Sequence, residues 1–327
     1  MAVIVSLGAA LQDIYLVDRE DLTPTAIGGE SIFGKVLVGS KVDIDKLHYE
    51  VGGGGLNSAI TFARNEHDVV LFANIGMDSA GNAILKVLDR EGIDNSFVNI
   101  IDRQTTGTSI ILLDAKGGER TILTYRGASE RFDSYTVTDL NLIIPDWLYA
   151  TTLRGDMKTL TKVFARVHKL GGKVMFNPGV KELEQSKELL RLLQDVDILL
   201  VNKSEASKMV SGVLLEELLY RLNNYVETVI ITDGAMGGIA GNRKEKYRFG
   251  IYEDVKVKDA TGAGDAFGSG FLAHFANGHT FRESLVFASA NSTSVVKKIG
   301  ANRGSMTSTE KLHMMPIQKL EKDTTMH

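Results

Sequence analysis

The sequence predicts an α/β fold in which a mostly parallel central sheet is covered by helices on both faces and carries a small β-sheet lid. Two observations support this prediction. From about residue 50 onward, short apolar runs alternate with stretches of helical periodicity. Such alternation is typical of parallel sheets covered on both faces. Two segments, residues 11–50 and 105–126, break the alternation and carry β-type runs of their own.

The elements of the alternating region follow from the period of their apolar residues. The first strand is expected in the apolar segment Met1–Gly8, which is too short and lacks the basic start of a signal peptide. The later strands are predicted at Val69–Ile75, Leu148–Thr152, Lys173–Asn177, Ile198–Asn202 and Thr228–Thr232. Helices are predicted at Ser58–Asn65, Gly81–Glu91, Met157–His168, Lys181–Leu193, Leu214–Asn223, Ala266–Ala276 and Phe281–Lys297. Because ligands bind beyond the carboxyl ends of parallel strands, the turns after these strands are the expected sites of chemistry.

The two interrupting segments are predicted to pair into one small sheet that stands off the main domain. Residues 11–50 contain β-type runs such as Ile32–Val38, and residues 105–126 have the pattern of a hairpin with a glycine-containing turn. Such a sheet is either a lid over the strand ends or an insertion that stabilises the edge. The main domain then comprises residues 1–10, 51–104 and 127–310, and residues 311–327 form a polar tail with no assigned function.

Composition and charge exclude several classes of protein. The chain has 327 residues, of which 43% are hydrophobic and 24% charged, as expected for a globular domain. Its net charge is −4 and no basic run is present, which argues against nucleic acid as the main partner. The absence of cysteine excludes disulfides and cysteine-ligated zinc. No apolar stretch approaches the roughly 20 residues of a membrane helix, so we expect a soluble, cytoplasmic protein.

The sharpest chemical signal is the segment Asp259–Phe267, Asp-Ala-Thr-Gly-Ala-Gly-Asp-Ala-Phe, which leads into a long helix. Gly262 and Gly264 let the backbone approach a ligand closely, and amides at a helix N-terminus favour an anion. Asp265 lies in the first turn of that helix, where a carboxylate can accept a proton from an attacking hydroxyl. A plain helix cap is the alternative, since Asp is favoured in the first turn of helices.

This segment resembles the C-terminal signature of the ribokinase-like (PfkB) carbohydrate kinase family, with Ala260 where the family usually has Thr or Pro. The resemblance extends from Asp13 to Gly300, with the motifs in the order of the family. It implies a ribokinase-like three-layer α/β/α domain with a β-lid, and ATP-dependent phosphorylation of an alcohol. It further implies Asp265 as the general base and an anion hole formed by the amides of Gly262, Ala263 and Gly264.

A glycine run, Gly52–Ala59, precedes the first predicted helix, and Asn74–Gly81 follows the next strand. A dinucleotide fingerprint is the alternative interpretation, but Asn57 replaces the third glycine of G-x-G-x-x-G. In the family that the chain resembles, the glycine run and the Asn that follows it contact sugar hydroxyls. This implies substrate-binding roles for Gly53 and Asn57. Ribokinases have Lys where this chain has Gly54, which weakens the case for ribose as the acceptor.

The segment Asp197–Glu205 is a predicted buried strand that ends in Asn-x-x-Glu. The resemblance implies that Asn202 contributes to the nucleotide site and that Asn202 and Glu205 organise Mg²⁺ through water. This agrees with the preference of Mg²⁺ for few carboxylates and several waters. An ordinary helix cap by Asn202 is the alternative.

A further strand, Val229–Thr232, runs into a glycine-rich turn that resembles the Thr-x-Gly-x-x-Gly segment of the family. The resemblance implies that Thr232, Gly234 and Gly237 bind the nucleotide and that Ser289 lines the adenine pocket. A hairpin turn without a binding role is the alternative.

Two single residues are further candidates. Asp13 follows the first strand, and in the family this Asp grips sugar hydroxyls at the base of the lid. Arg154, at the end of a predicted strand, is a second candidate substrate contact, with a plain surface arginine as the alternative. Asp259 and Gly300 resemble positions near a monovalent-cation site in some relatives. A K⁺ requirement is therefore a hypothesis, which assays in Na⁺-free and K⁺-free buffers would test.

The predicted function is an ATP- and Mg²⁺-dependent kinase that phosphorylates a hydroxymethyl group of a small sugar or sugar derivative. A nucleoside kinase of the same family is one alternative, since Gly54 and Leu56 permit a roomier, more apolar pocket. A sugar or nucleotide sensor without catalysis is another, and the intact Gly-Ala-Gly-Asp segment argues against it. A homodimer formed through the lid is a further expectation, because exposed strand edges are often covered by a partner.

Overall fold

The computed structural model describes residues 1–17, 25–27, 31–33, 41, 44, 46–113, 120–130, 132, 139–252, 255–310 and 315–321. Ten of the described strands form one large sheet in the order β16-β15-β14-β13-β12-β11-β10-β1-β6-β7. In chain order these strands are β1 (Val3–Leu7), β6 (Asp68–Gly76), β7 (Val98–Ile101), β10 (Trp147–Ala150), β11 (Lys173–Phe176), β12 (Ile198–Asn202), β13 (Thr228–Thr232), β14 (Gly238–Gly241), β15 (Lys246–Phe249) and β16 (Ile317–Leu320).

The large sheet is parallel from β7 through β13 and antiparallel from β13 to β16. The described helices are α1 (Gly54–Arg64), α2 (Ser79–Glu91), α3 (Met157–Lys169), α4 (Val180–Leu183), α5 (Ser186–Leu192), α6 (Lys203–Met209), α7 (Leu215–Leu222), α8 (Ala263–Ala276) and α9 (Phe281–Val296). Parallel neighbours require crossover connections, and most of these helices supply them. The parallel arrangement brings the carboxyl ends of the strands to one edge of the sheet.

Two hydrophobic cores, one on each face of the sheet, give the three layers. In β1, Val5 contributes to the core that includes Phe164 of α3, whereas Ile4 contributes to the core that includes Phe271 of α8. Successive side chains of a strand point to opposite faces, which is why neighbours in one strand serve different cores. The strands are therefore apolar on both faces, as expected for a covered parallel sheet. The predicted three-layer α/β/α fold is confirmed.

The segments predicted to form a lid pair into a separate four-stranded sheet in the order β5-β2-β8-β9, which is called the lid below. Its strands are β2 (Leu11–Val17), β5 (Lys46–Gly52), β8 (Thr108–Leu113) and β9 (Arg120–Tyr125). The short strands β3 (Thr25–Ile27) and β4 (Ser31–Phe33) pair with each other. The predicted hairpin strands thus pair as expected, while the turn between them, residues 114–119, lies outside the described residues, as does most of the run Ile32–Val38.

The two faces of the lid differ in burial. The inner face carries Asp13, Tyr15 and Ser109, which are all buried. The opposite face, here called the outer lid face, exposes large apolar side chains. Its members are Leu47, Tyr49, Ile110, Leu123 and Tyr125. Tyr49, Ile110 and Leu123 lie in one cross-strand row through Ile14.

Three sequence expectations differ from the observed elements. The helix predicted at Lys181–Leu193 is two helices, because Gln185 leaves helical geometry and its side chain donates hydrogen bonds to the carbonyls of Gly155 and Lys181. Helix α1 begins at Gly54 rather than Ser58, because the glycine run itself enters the helix. The predicted tail is not wholly separate from the main domain, since Ile317–Leu320 pair with β15. Among the described residues, no helix is both long and apolar enough to cross a membrane.

Candidate active site

The N-terminus of α8 lies at the centre of the candidate site. Gly262 caps this helix with a left-handed backbone (φ 78°), and a Cβ there would lie 2.4 Å from the carbonyl oxygen of Ala301, so only glycine fits. A Cβ on Gly264 would meet no atom within 4 Å, because this residue faces open space. The first amides of a helix lack an intrahelical partner. The turn therefore presents backbone donors to an open volume, at the positive end of the helix dipole.

Asp265, in the first turn of α8, is held by a chain of side-chain amides. Asn57 of α1 donates from Nδ2 to Oδ2 of Asp265 at 2.8 Å. The Oδ1 atom of Asn57 in turn accepts a hydrogen bond from Nδ2 of Asn302 at 2.9 Å. Burial raises the pKa of Asp265 above its usual value, and the hydrogen bond from Asn57 opposes that shift. The carboxylate is thus oriented and has the raised basicity suited to accepting a proton.

Asp13 lies on the inner face of the lid and is almost fully buried, with 4% of its surface exposed. Burial raises its pKa to about 7, a hydrogen bond from Ser109 opposes the shift, and the charges of Asp259, Asp265 and Glu50 add to it. Because the charge of Asp265 acts on Asp13, the predicted substrate contact and the predicted base share one region. Asp13 also packs against Gly52, where any Cβ would collide with its Oδ2 atom.

The predicted substrate-binding glycine, Gly53, is the N-cap of helix α1. Its φ of 97° is disfavoured for other residues, and a Cβ there would lie 2.4 Å from the carbonyl oxygen of Ala9. Gly53 therefore allows the turn after β1 and the start of α1 to pack closely. The structure brings Gly53 and Asn57 together through the hydrogen bond from the Asn57 amide to the Gly53 carbonyl.

Asp259 is fully buried below the turn that begins α8. Its carboxylate accepts hydrogen bonds from the backbone amides of Thr261 at 2.9 Å and Gly300 at 3.2 Å. The two residues singled out for a cation site, Asp259 and Gly300, are therefore in direct contact. These bonds also tie the loop that holds Ala301 and Asn302 to the α8 turn.

A cavity of about 630 Å³ opens beside the α8 turn. It collects the predicted nucleotide residues Thr232, Gly234, Gly237 and Ser289, together with Ala263 and Gly264 of the predicted anion hole. Apolar side chains from the neighbouring loops and helices form most of the remaining wall. They include Phe249, Ile251, Tyr252, Val255, Val257, Phe267 and Val296. Its volume and largely apolar lining are those of a small-molecule site.

The turn after β13 joins two antiparallel strands, so the hairpin interpretation of this segment is correct as far as its geometry goes. The same turn also lines the cavity. Gly237 has a φ of 78°, and a Cβ there would lie 2.1 Å from the carbonyl oxygen of Phe249. Asn202, at the carboxyl end of β12, is the register partner of Thr232, which places it next to this turn.

Asn202 and Glu205 form a capping box at the start of α6. The Asn202 side chain accepts from the Glu205 amide at 2.9 Å, and Oε2 of Glu205 accepts from the Asn202 amide at 2.8 Å. Burial raises the pKa of Glu205, and its hydrogen bonds with Asn202 oppose the shift. Oε1 of Glu205 takes no part in the cap. In the described part of the chain, no group of three or more metal-ligating side chains is close enough to hold an ion directly.

Sequence reasoning missed two residues of this region. Asn302 supports Asn57, but it lies in an irregular loop that no periodic pattern marks. Arg120, the first residue of lid strand β9, lines the cavity beside Thr232, and its Nε atom is buried without a hydrogen-bond partner. The Gly-Glu-Arg sequence of residues 118–120, at the start of a hairpin strand, is the signal that could have drawn attention to it.

Comparison with known proteins agrees with this geometry. The model of the pfkB family carbohydrate kinases matches residues 4–308. The chain belongs to the PfkB family. A ribokinase from Haemophilus influenzae is 30% identical over 295 residues, which cover 86% of this chain and 91% of that protein. As a PfkB-family member, the chain is a kinase that transfers a phosphoryl group to an alcohol.

Solved structures show the same PfkB-family fold. The nucleoside kinase of Methanocaldococcus jannaschii has a TM-score of 0.73 and 21% identity, and the match covers 94% of this chain and 95% of that one. The ribokinase of Arabidopsis thaliana, solved with ribose and ATP, has a TM-score of 0.74 and 22% identity, with coverage of 94% and 96%. The predicted ribokinase-like fold is therefore confirmed, as is the resemblance on which it rested.

Proposed function

We propose that this chain uses ATP to phosphorylate a hydroxymethyl group of a small sugar or sugar derivative, with Asp265 as the general base. The observation that carries the proposal is the position of the first turn of α8. Ala263 and Gly264 of this turn line the large cavity, while Asp265 of the same turn is bound by Asn57 and acts electrostatically on Asp13. One turn of helix thus joins a nucleotide-sized cavity to a group of acceptor-side residues.

In the proposed reaction, Asp13, Gly53 and Asn57 hold the acceptor so that its hydroxyl faces Asp265. Asp265 accepts the hydroxyl proton as the oxygen attacks the terminal phosphorus of ATP. The phosphoryl group passes to that oxygen, and ADP leaves. The amides of Gly262, Ala263 and Gly264 stabilise the charge of the moving group, because helix N-terminal donors are fixed in place before the reaction begins.

The nucleotide is proposed to occupy the cavity, with Thr232, Gly234, Gly237 and Ser289 along its wall. The relative solved with ATP supports this donor. When bound, Mg²⁺ would neutralise phosphate charge. The residues Asn202 and Glu205 fit such an ion only through water, because the capping box already occupies the Asn202 oxygen and one oxygen of Glu205.

The lid sheet is proposed to close over the acceptor and exclude water, which would suppress hydrolysis of ATP. Its inner face already contributes the buried Asp13, and its strand β9 places Arg120 at the cavity. The lid thus contributes residues to the acceptor side and to the nucleotide cavity. Its closure would therefore be coupled to the binding of both substrates.

The outer lid face supports a second proposal, that two copies of the chain pair through their lids. Tyr49, Leu123 and Tyr125 of this face are 61%, 56% and 60% exposed. Contiguous apolar residues of this kind on a sheet are unfavourable in water unless a partner covers them. A second copy supplies a self-complementary face of the same chemistry.

Sedimentation equilibrium tests the pairing. We expect a dimer for the wild type and a monomer for Leu123→Lys, because a buried unpaired charge opposes association. Leu142→Lys, at a position that is 78% exposed on the main domain, is the matched control and should remain dimeric. A monomeric wild type at micromolar concentration would contradict the proposal.

The release of ADP from Mg·ATP, measured with a panel of acceptors, tests the proposed activity. The panel comprises fructose, ribose, 2-keto-3-deoxygluconate, fructose 6-phosphate, adenosine, inosine and cytidine. We expect turnover with a sugar-type acceptor, and a fall in kcat on the order of a hundredfold or more in Asp265→Asn, while ATP binding persists. Near-normal turnover in Asp265→Asn would remove Asp265 from the role of base.

The same panel decides between a sugar and a nucleoside. Leu56, which could have made the acceptor pocket more apolar, is fully buried in the core and offers a nucleoside no contact surface. This observation favours the sugar. ATP binding without turnover of any acceptor would instead favour a non-catalytic sensor.

A further inference from the structure

Two arginines, Arg126 and the candidate substrate contact Arg154, lie near Glu130 at the base of the lid. Arg126 follows the last residue of β9, and Arg154 lies in the loop after β10. Nη2 of Arg154 lies 3.3 Å from Oε1 of Glu130. Burial lowers the pKa of Arg126, the nearby charge of Arg154 lowers it further, and Glu130 opposes both effects. The half-exposed carboxylate of Glu130 therefore contacts Arg154 and lines the same cavity as Arg126.

The Arg154 loop is held rigidly by a buried carboxylate. Glu182 is fully buried and accepts hydrogen bonds from the amides of Leu153 at 2.9 Å and Gly155 at 2.7 Å. It also accepts from the hydroxyl of Thr152 at 2.7 Å. The backbone of Arg154 itself lies in the left-handed region, with φ 61°, which is uncommon for a residue other than glycine. The backbone that carries the Arg154 side chain is therefore held in a defined position.

Both guanidinium groups keep unused donors. The Nε atom of Arg154 is buried without a hydrogen-bond partner. Within the described parts of the chain, the Arg126 side chain has neither a hydrogen bond nor an ion pair. A buried donor without a partner is costly, and so is uncompensated charge away from water. An anion that bound both groups would remove both costs.

The arginines lie at the same edge of the sheet as the proposed acceptor site. The amide of Thr151, three residues before Arg154, bonds to Leu7 at the end of β1, and its side chain packs against Gly54. On the other side, the carbonyl of Arg126 packs against Gly107, whose own carbonyl accepts from the amide of Gln12, next to Asp13. Arg126 and Glu130 also line a cavity of about 610 Å³ that leaves room for a ligand group.

We propose that the acceptor of this kinase carries a carboxylate or phosphate group, and that Arg126 and Arg154 bind it. This proposal rests on the proposed function, because it assigns the substrate class of the same site. Guanidinium is a planar donor of several N–H groups and matches both anions in bidentate geometry. The acceptor is then a sugar acid or a sugar phosphate, bound at one end by the arginines and at its reacting hydroxyl by Asp265.

The alternative is a purely structural role, in which the Arg154–Glu130 ion pair holds the segment after β9 against the loop after β10. The two roles predict different effects. A structural tie affects stability and every substrate equally, whereas an anion contact affects the KM of charged acceptors alone.

Steady-state kinetics with matched variants tests the proposal. We expect turnover of 2-keto-3-deoxygluconate or of fructose 6-phosphate to exceed that of fructose, ribose and the nucleosides. Arg126→Gln and Arg154→Gln should each raise the KM of that acidic acceptor about tenfold or more, as expected for the loss of a charge-assisted hydrogen bond. The KM for ATP should not change. Arg191→Gln, an exposed arginine of α5, is the control and should behave as the wild type.

The two acidic acceptors distinguish a sugar acid from a sugar phosphate, and calorimetric titration of each separates binding from turnover. Binding that is lost in Arg154→Gln, without turnover of any acceptor, would support the anion site and contradict the proposed function. Turnover confined to neutral sugars, with unchanged kinetics in both arginine variants, would overturn the anion site and leave the proposed function standing.

Discussion

The Nδ2 atom of Asn57 donates a hydrogen bond to Oδ2 of Asp265 at 2.8 Å, across 208 residues of sequence. The amide oxygen of Asn57 is bound at the same time by Asn302, which fixes the orientation of the Asn57 amide. Asn57 is 4% exposed, so both bonds form largely away from water. This arrangement gives Asn57 a role in positioning Asp265, in addition to the predicted contact with the acceptor.

Substitution Asn57→Leu should move the acid limb of the pH–kcat profile to higher pH. The hydrogen bond from Asn57 lowers the pKa of Asp265, so its loss leaves the raising effect of burial unopposed. A base with a higher pKa ionises at higher pH. We expect a shift of about 1–2 pH units, from the usual strength of a hydrogen bond to a charged group.

The control for this measurement is Asn99→Leu, since Asn99 donates to Asn74 and lies outside the α8 region. Its acid limb should match that of the wild type. An unchanged profile in Asn57→Leu would show that the observed bond does not persist in the reacting complex.

Substitution Asp13→Asn should change how stability depends on pH. The pKa of Asp13 rises from 3.8 to about 7 on folding, mainly through burial. The folded state therefore holds a proton that the unfolded state releases, and the Asp13 contribution to the free energy of unfolding falls as pH rises from about 4 to about 7. Asn has no titrating proton, so its free energy of unfolding should not fall in this way. Between about pH 4 and pH 7, the free energy of unfolding of the variant should rise relative to that of the wild type by at most about 4 kcal/mol.

Urea unfolding of both proteins between pH 4 and pH 8 measures this difference. Asp102→Asn is the control, because Asp102 has a side chain that is 78% exposed, and its curve should run parallel to that of the wild type. Parallel curves for Asp13→Asn would mean that Asp13 is ionised in the folded protein at pH 4.

The sequence could predict those parts of the fold and the site that are encoded by residues close together along the chain. The strand Thr228–Thr232 was predicted with its observed bounds because the apolar run is short, β-branched and bounded by a glycine turn. The region of Asp265 was predicted because it carries a sequence motif, in which Gly262 is required by the backbone geometry. Most of the predicted nucleotide residues then came together in one cavity.

Other features depend on distant contacts that no local pattern encodes. Asn302 acts through Asn57, which lies 245 positions away in sequence. The break between α4 and α5 depends on hydrogen bonds from Gln185 to the Arg154 loop, which outweigh an unbroken helical period. The proposed roles of Arg126 and Arg154 depend on their shared neighbour Glu130, which becomes visible only when β9 and β10 are placed in the fold.

Substitution Arg120→Gln should weaken ATP binding and slow turnover. Arg120 reaches the cavity from the lid, and its Nε atom is buried without a partner. A nucleotide phosphate would supply that partner. We expect the KM for ATP to rise about tenfold and kcat to fall, in line with the loss of a charge-assisted contact.

Arg120→Lys should recover part of this loss, because it keeps the charge but not the planar donor geometry. Arg248→Gln removes an exposed arginine that pairs with Glu216 and does not line the cavity, and it serves as the control. Normal ATP kinetics in Arg120→Gln would show that Arg120 has no part in nucleotide binding.

Substitution Glu205→Gln should separate the capping role of Glu205 from its proposed role near Mg²⁺. Glutamine keeps a side-chain oxygen that can accept the hydrogen bond now made by the Asn202 amide, so the capping box should survive. Only the negative charge is lost. Because burial raises the pKa of Glu205, removal of that charge should not lower the free energy of unfolding. The Mg²⁺ concentration for half-maximal activity should rise by about tenfold, since a carboxylate favours the hydrated cation.

The chain offers a close control in Glu283, which forms the same kind of capping box with Thr280 at the start of α9. There the hydrogen bonds from Thr280 lower the pKa of the Glu283 carboxylate, so the capping box by itself favours the ionised form of this residue. Glu283→Gln should therefore reduce stability slightly and leave the Mg²⁺ dependence unchanged. Activity measured against Mg²⁺ concentration in both variants distinguishes the capping role of Glu205 from its proposed role near Mg²⁺. Equal Mg²⁺ curves would assign Glu205 to the cap alone, because the two residues would then differ in burial but not in function.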